Sequence, residues 1–326
     1  MSFTGTIVLC GLGGLVLKYG GQEAKKDENT PAGFKNLTLG FIGSKQATFK
    51  ERFMIVKTNF WDQVVNGGGY MFPLQGLRAL FSTRAYLRDT LSNMAAYLSI
   101  WSLVSFLYFA GILPIYIAIL ALLGFGGLAV AYVHFLLHGN MLAMMILRMS
   151  QMNYDLEDLA LRRHGREFFV QQAIQNTPPP TRLYTPKNTV YFWLNYLPWR
   201  LTVYTCWGFA IIALLLVSFV PIVGPLIFSA MISPVVSRIY FSHYLRLKKL
   251  SNRDREARFY SNFGSYVSFG FVAGQLEALP LFAGIAYCSN AIGVALMATE
   301  EMKSEDSALP TTPQVEDIVE HSVVTT

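Results

Sequence analysis

The sequence predicts an all-α integral membrane protein of about six membrane arms, paired as three hairpins, with amphipathic helices at the interface. Three observations predict it. Charged residues make up only 14% of the 326-residue chain, against about 25% in ordinary soluble domains. Thr90 to Leu147 contains no Asp, Glu, Lys or Arg, and a helix needs roughly 20 apolar residues to cross a bilayer, so that stretch has room for two. Leu201 to Ser237 is a second apolar run, with Pro221-Ile222-Val223-Gly224-Pro225 at its midpoint and basic residues at both ends.

Residues 1–89 read as a cytosolic or interfacial region. Phe3 to Leu17 is apolar but has neither a preceding positive stretch nor a small-residue cleavage site, so a cleaved leader is not expected. Gly20 to Lys35 is polar and reads as loop. Phe49, Phe53, Val56 and Phe60 recur at helical spacing, with Lys50, Lys57 and Asp62 between them. Tyr70 to Asp89 repeats the pattern, with Leu77, Leu80 and Phe81 set against Arg78, Arg84 and Arg88. Both predict amphipathic helices, either lying on the membrane or packed beneath the bundle. Gly67-Gly68-Gly69 is the hinge between them.

The helical membrane domain is expected over 90–302. Pro114, in Gly111-Ile112-Leu113-Pro114-Ile115, marks the turn of the first hairpin; a second break stands open at Gly124 to Gly127. The 148–200 stretch is a cytosolic insertion in which Tyr154 to Gln175 predicts one charged helix, ended by Pro178-Pro179-Pro180. Tyr191, Trp193, Tyr196 and Trp199 then form an aromatic belt before the second run. The 238–258 connector is basic and reads as helix continuing out of the membrane; Arg246, Lys248, Lys249 and Arg253 are its candidates for lipid headgroups. Phe259 to Thr299 is a third apolar pair, broken at Glu277-Ala278-Leu279-Pro280. The acidic tail, 303–326, is expected to be disordered.

If the basic blocks share the cytosolic face, each apolar stretch returns to the side it left, and both termini are cytosolic. The arms are short, Ile222 to Ser237 above all, so some are expected to enter only part-way, with irregular backbone covered by protein or lining a cavity. The turns fall at Pro114, at Pro221, Gly224 and Pro225, and at Pro280, and only the third carries a charge, Glu277. Apolar tips suit a lipid-droplet monolayer, where a polar far-side loop would be buried in oil. They also suit tight turns between ordinary spanning helices.

The turn Phe219-Val220-Pro221-Ile222-Val223-Gly224-Pro225, the basic connector, Gly284 and the closing Asn290-Ala291-Ile292-Gly293-Val294-Ala295-Leu296 resemble the CysZ/etoposide-induced-protein membrane family. Within it the length, insertion and acidic tail look most like the fungal outer-spore-wall and lipid-droplet sporulation proteins. The resemblance covers about the last two thirds of the chain, best after Tyr196. It implies a helical bundle with half-penetrating hairpins and no catalytic residues, placed at the endoplasmic reticulum membrane and lipid droplet or at the spore wall and prospore membrane. The implied role is lipid handling or spore-wall assembly. The link of bacterial members to sulfate uptake supplies the alternative, a sulfate-like anion channel or permease.

Few residues could carry chemistry. Glu277 is an ionisable group between apolar arms, which needs a partner or water and is a functional candidate by default; Gln275 and Asn290 could support it by hydrogen bonding. His134 and His138, four apart on one membrane helix, could share a metal, but no acid or cysteine joins them there, and histidines hydrogen-bonding between helices are the simpler expectation. Cys10, Cys206 and Cys288 have no CxxC spacing. Gly11-Leu12-Gly13 lacks the βαβ setting of a dinucleotide site, and no GxSxG nucleophile motif occurs. No enzyme activity, cofactor or metal is expected. The net charge of +6 sits beside the apolar runs, which favours membrane lipids over nucleic acid as partners. Small residues such as Gly264, Gly270 and Gly274 suggest a homo-oligomer.

Overall fold

The computed structural model describes residues 24–26, 39–175, 182–184, 192–250 and 252–308. The N-terminal apolar stretch, the Pro178-Pro179-Pro180 run and the chain after Ala308 lie outside the described residues. The helices are α1 (Leu39–Val65), α2 (Phe72–Ser82), α3 (Leu87–Gly111), α4 (Leu113–Leu120), α5 (Gly124–Ser150), α6 (Tyr154–Leu161), α7 (Glu167–Gln175), α8 (Leu197–Ser218), α9 (Val223–Met231), α10 (Ser233–Leu247), α11 (Asn252–Ser261), α12 (Phe263–Ala278) and α13 (Ala283–Ala308). The all-α expectation needs one amendment. Short strands β1 (Ala24–Lys26) and β2 (Arg182–Tyr184) pair in parallel, Ala24 opposite Arg182.

Three helical segments are long and apolar enough to span a membrane: Arg84–Gly111, Leu113–Ser150, in which the 27-residue α5 carries the length, and Leu197–Ser218. A fourth is reached only if α9 and α10, bent by 52° at Ile232, count as one span. Six arms are therefore more than length and composition support. The difference lies in the third apolar run. Its α12 and the first half of α13 are buried in the protein, among the aromatic residues Tyr240, Phe241, Tyr266, Phe269 and Tyr287. The run reads as apolar because it is rich in glycine and alanine, and those residues serve close helix packing. A Cβ on Gly270 would stand 2.2 Å from the Ser233 carbonyl oxygen, and one on Gly264 would stand 2.5 Å from that of Phe60. Gly274 faces Ser229 of α9. These glycines thus meet neighbours in their own chain.

The first hairpin turns later than Pro114. That proline sits in the first turn of α4, where its missing N–H leaves no bond unmade, and the chain runs on. Reversal comes at Gly124, whose φ of +70° suits glycine. Gly127 lies so close to α4 that a Cβ there would meet the Leu120 carbonyl oxygen at 1.9 Å, and the Tyr116 and His134 rings stack at 4.6 Å across the turn.

The 148–200 insertion is also broken where one helix was expected. α6 and α7 are separated by a wide turn, Arg162–Arg166, in which Gly165 adopts φ +81°. The basic connector breaks likewise, with Lys249 at φ +57° between α10 and α11. At the other end α13 continues through Ala308, past the expected start of the disordered tail at 303. Its acidic last turns are held by cations from three elements: Arg258 on Glu301 and Glu305, Lys248 on Glu305, and Arg166 on Asp306 at 2.9 Å.

Glu157 is costly within this helical layer. It is wholly buried in α6, and its two oxygens lack a well-placed donor. Burial pushes its carboxyl up to about 8, with nearby His243 and Arg246 pulling only partly the other way. The unfolded chain binds fewer protons than the folded one between the ordinary value of 4.5 and about 8, so stability falls as pH rises through that window. Glu157→Gln is expected to flatten that decline and to add about 2–4 kcal/mol at pH 8, read as the unfolding midpoint in detergent at several pH values. A wild-type profile no steeper than the variant's would show Glu157 to be ionised in the fold.

Candidate functional site

Two features stand out together: a closed polar centre inside the bundle, and apolar turns outside it. Glu277, in the last turn of α12, is 1% exposed. A carboxylate so placed must be matched by charge and hydrogen bonds. Arg148, at the end of α5, donates Nε to Oε2 at 2.7 Å and pairs through Nη2 with the same oxygen. Tyr240 of α10 donates to Oε1, and Asn290 of α13 donates Nδ2 to that oxygen at 2.5 Å. Asn140 of α5 donates to the Glu277 carbonyl at 2.8 Å and accepts from Tyr97 of α3 at 2.8 Å. The network joins α3, α5, α10, α12 and α13. Its ionic groups are mutually neutralised.

The second and third turns share one backbone device. Val223 N–H donates to the Pro221 carbonyl at 2.7 Å with Ile222 at φ +64° between them, and Phe282 N–H donates to the Pro280 carbonyl at 2.8 Å with Leu281 at φ +66°. Both are γ-turns with positive central φ, a rare and strained form. Tyrosines of the first hairpin add two bonds to the backbone at these turns. Tyr116 donates its hydroxyl to the Phe219 carbonyl, and Leu281 N–H donates to the Tyr97 hydroxyl at 3.2 Å. The apolar side chains of the turns face outward: Leu122 is 86% and Phe125 88% exposed, and Val220, Ile222, Val223, Leu279 and Leu281 are exposed as well.

The third turn lies beside Tyr97 and Asn140, and Asn140 precedes the end of α5 at Ser150 by about 15 Å of helix.

Of the residues singled out from sequence, Glu277 and Asn290 meet directly, while Gln275 instead donates to the Leu226 carbonyl at 3.3 Å. Gly224 and Pro225 are buried at the turn, and a Cβ on Gly224 would meet the Val217 carbonyl oxygen at 2.4 Å. His138 shares a hydrogen bond of 3.0 Å with Tyr108, whereas neither nitrogen of buried His134 has a partner. Among the described residues no group of three or more His, Cys, Asp and Glu is placed to hold a metal ion. Two of the headgroup candidates are engaged within the chain: Lys248 pairs with Glu305, and Arg246 donates to Tyr154. Lys249 is exposed, and Arg253 lies on α11.

Arg148, Tyr240, Asn140 and Tyr97 are the site residues that sequence reasoning missed. One signal pointed to Arg148: it is the first charge after the uncharged 90–147 stretch, and Glu277 is the lone acid of the third apolar run up to its turn. The tyrosines and Asn140 carry no such mark.

Comparison with known proteins identifies the lineage. The chain is 33% identical over 324 residues, 97% of its length and 96% of the relative's, to outer spore wall protein LDS1 of Saccharomyces cerevisiae. It belongs to the outer spore wall protein family. Outer spore wall protein RRT8 of the same yeast is 23% identical over 79% of this chain and 79% of its own. Outer spore wall protein LDS2 is 30% identical over 27% of this chain and 25% of its own. No known family profile matches, and no solved structure matches. In this outer spore wall family member, then, a saturated ion pair holds the bundle from within while the hairpin turns present bare apolar side chains.

Proposed function

We propose that the protein is a non-enzymatic multi-pass membrane protein of the endoplasmic reticulum and lipid droplets that handles lipid during assembly of the spore wall. The observation that carries this reading is the chemistry of the turns. The Phe219, Pro221 and Pro280 carbonyls and the Leu281 N–H are bonded within the protein, and the outward side chains of the turns are apolar. A surface with no water beyond it, such as the monolayer of a neutral-lipid droplet, accepts such turns at no desolvation cost, whereas polar loops would lose several kcal/mol per unsatisfied group. Glu277, the one charge near a turn, points inward to Arg148. Kinship with outer spore wall proteins supports the setting in spore-wall assembly.

The sulfate-like anion channel or permease, suggested by the likeness of the Phe219–Pro225 turn to the CysZ/etoposide-induced-protein family, is the weaker reading. Arg148 is the buried cation at the centre, and Glu277 neutralises it. An anion there would have to displace a buried carboxylate. Fluorescent tagging of the full chain in sporulating cells is expected to show rings around droplets stained for neutral lipid; protein confined to the plasma membrane would count decisively against the proposal. Proteoliposomes are expected to take up no sulfate above the protein-free rate, and saturable entry would replace this reading by transport.

A further inference from the structure

Helix α1 touches the rest of the protein along one line. Arg52 pairs with Glu256 of α11 at 2.9 Å, Gln63 accepts from the Gly264 N–H of α12 at 2.9 Å, and the Phe60 and Phe263 rings lie 6.1 Å apart. These contacts set the rotation of the helix and leave the opposite face outward. Trp61 is 73% exposed there, with Met54 and Val65 also turned out, while Phe49 and Phe53, exposed as well, lie toward the contact side beyond Arg52. At about 100° per residue, Lys50 and Lys57 fall within the same arc, and both are exposed. The acids Glu51 and Asp62 lie to one side of it.

We propose that this face of α1 sits in the headgroup layer of an anionic membrane, as a surface anchor beside the spanning helices. Trp61, Met54 and Val65 interleaved with lysines suit that layer, where the apolar side chains bury their bodies and the ammonium groups meet lipid phosphates. Two further observations choose lipid as the occupant. Two of the connector cations are held within the chain, Lys248 by Glu305 and Arg258 by Glu301, which leaves the lysines of α1 freer for phosphates. Exposed apolar side chains also recur along the chain after α1, at Tyr70, Met71 and Leu74 and then at Leu87, Leu91 and Leu98 on the spanning helix α3. A second copy is less suited, since a two-fold contact centred on this face would bring its lysines together.

The proposal rests on the reading of α3, α5 and α8 as membrane spans, and the test separates the two. Full-length protein is reconstituted into phosphatidylcholine–phosphatidylserine vesicles with and without acyl-brominated phospholipid. The emission of Trp61 is taken as the difference between wild type and Trp61→Phe, and that of Trp207, exposed on α8, likewise from Trp207→Phe. Brominated lipid is expected to cut the Trp61 emission about twofold or more, and less when phosphatidylserine is omitted or when Lys50→Glu and Lys57→Glu are introduced. Trp61 quenched by aqueous iodide and untouched by brominated lipid, while Trp207 is quenched by the lipid, would overturn the anchor and leave the spans standing. Trp61 shielded from both quenchers would overturn it in favour of a protein partner or second copy. Trp207 untouched by brominated lipid would remove the membrane reading itself.

Discussion

Glu277→Leu is expected to lower the stability of the full-length protein in detergent by about 3–5 kcal/mol, since it leaves the Arg148 guanidinium buried without a counter-charge. Arg148 is 7% exposed and its surroundings are closed, so water cannot readily replace the lost carboxylate. Tyr240 and Asn290 would lose their shared acceptor as well. The double variant Arg148→Met with Glu277→Leu is expected to recover most of the loss, because a buried ion pair exchanged for apolar groups of similar volume is commonly neutral or stabilising by about 1–4 kcal/mol. The readout is the thermal midpoint for loss of the monodisperse species. A single variant as stable as wild type would mean that water reaches Arg148, and the closed centre would have to be abandoned.

Gly76→Ala should be the second severe change. α2 lies across α13 with Gly76 at the crossing, where a Cβ would stand 2.1 Å from the Ser289 carbonyl oxygen and 2.7 Å from the Gly293 N. Both obstacles are backbone, which cannot rotate away. Ser289 also donates its hydroxyl to the Pro73 carbonyl at 2.7 Å, a bond that separating the helices would break. Overpacking of this kind costs about 1–3 kcal/mol, and loss of the buried hydrogen bond about 1 kcal/mol more. Gly208→Ala provides the control. It lies on α8 with nothing within 4 Å of the added methyl, so its effect should be nil or a gain of up to about 1 kcal/mol from helix propensity. Equal effects at the two positions would mean that α2 and α13 do not cross as described.

Residue pattern made the helices legible and their surroundings much less so. The uncharged 90–147 run, the Leu201 start of the second run and the amphipathic 49–65 stretch all became helices where hydrophobicity and period placed them. Pro114 misled because a proline marks a break in hydrogen bonding, and the first turn of a helix tolerates that as well as a reversal does. The 259–299 run misled because hydropathy counts Ala and Gly as membrane-compatible, whereas here their small size lets Gly270 approach Ser233 and Gly76 approach Ser289.

Sequence alone determined what had to be hidden from water: a chain with too few charges for a soluble surface, bent by proline and glycine, with one acid stranded in its last apolar run. Tertiary structure decided what hides it. Leu122, Phe125 and Ile222 are left facing outward, while protein covers Glu277 and the small residues around it. Hydrophobicity says only that a group leaves water. Whether it enters lipid or a packed interior depends on which helices can come close, and that is settled by contacts such as Arg148 with Glu277, 129 residues apart in the chain.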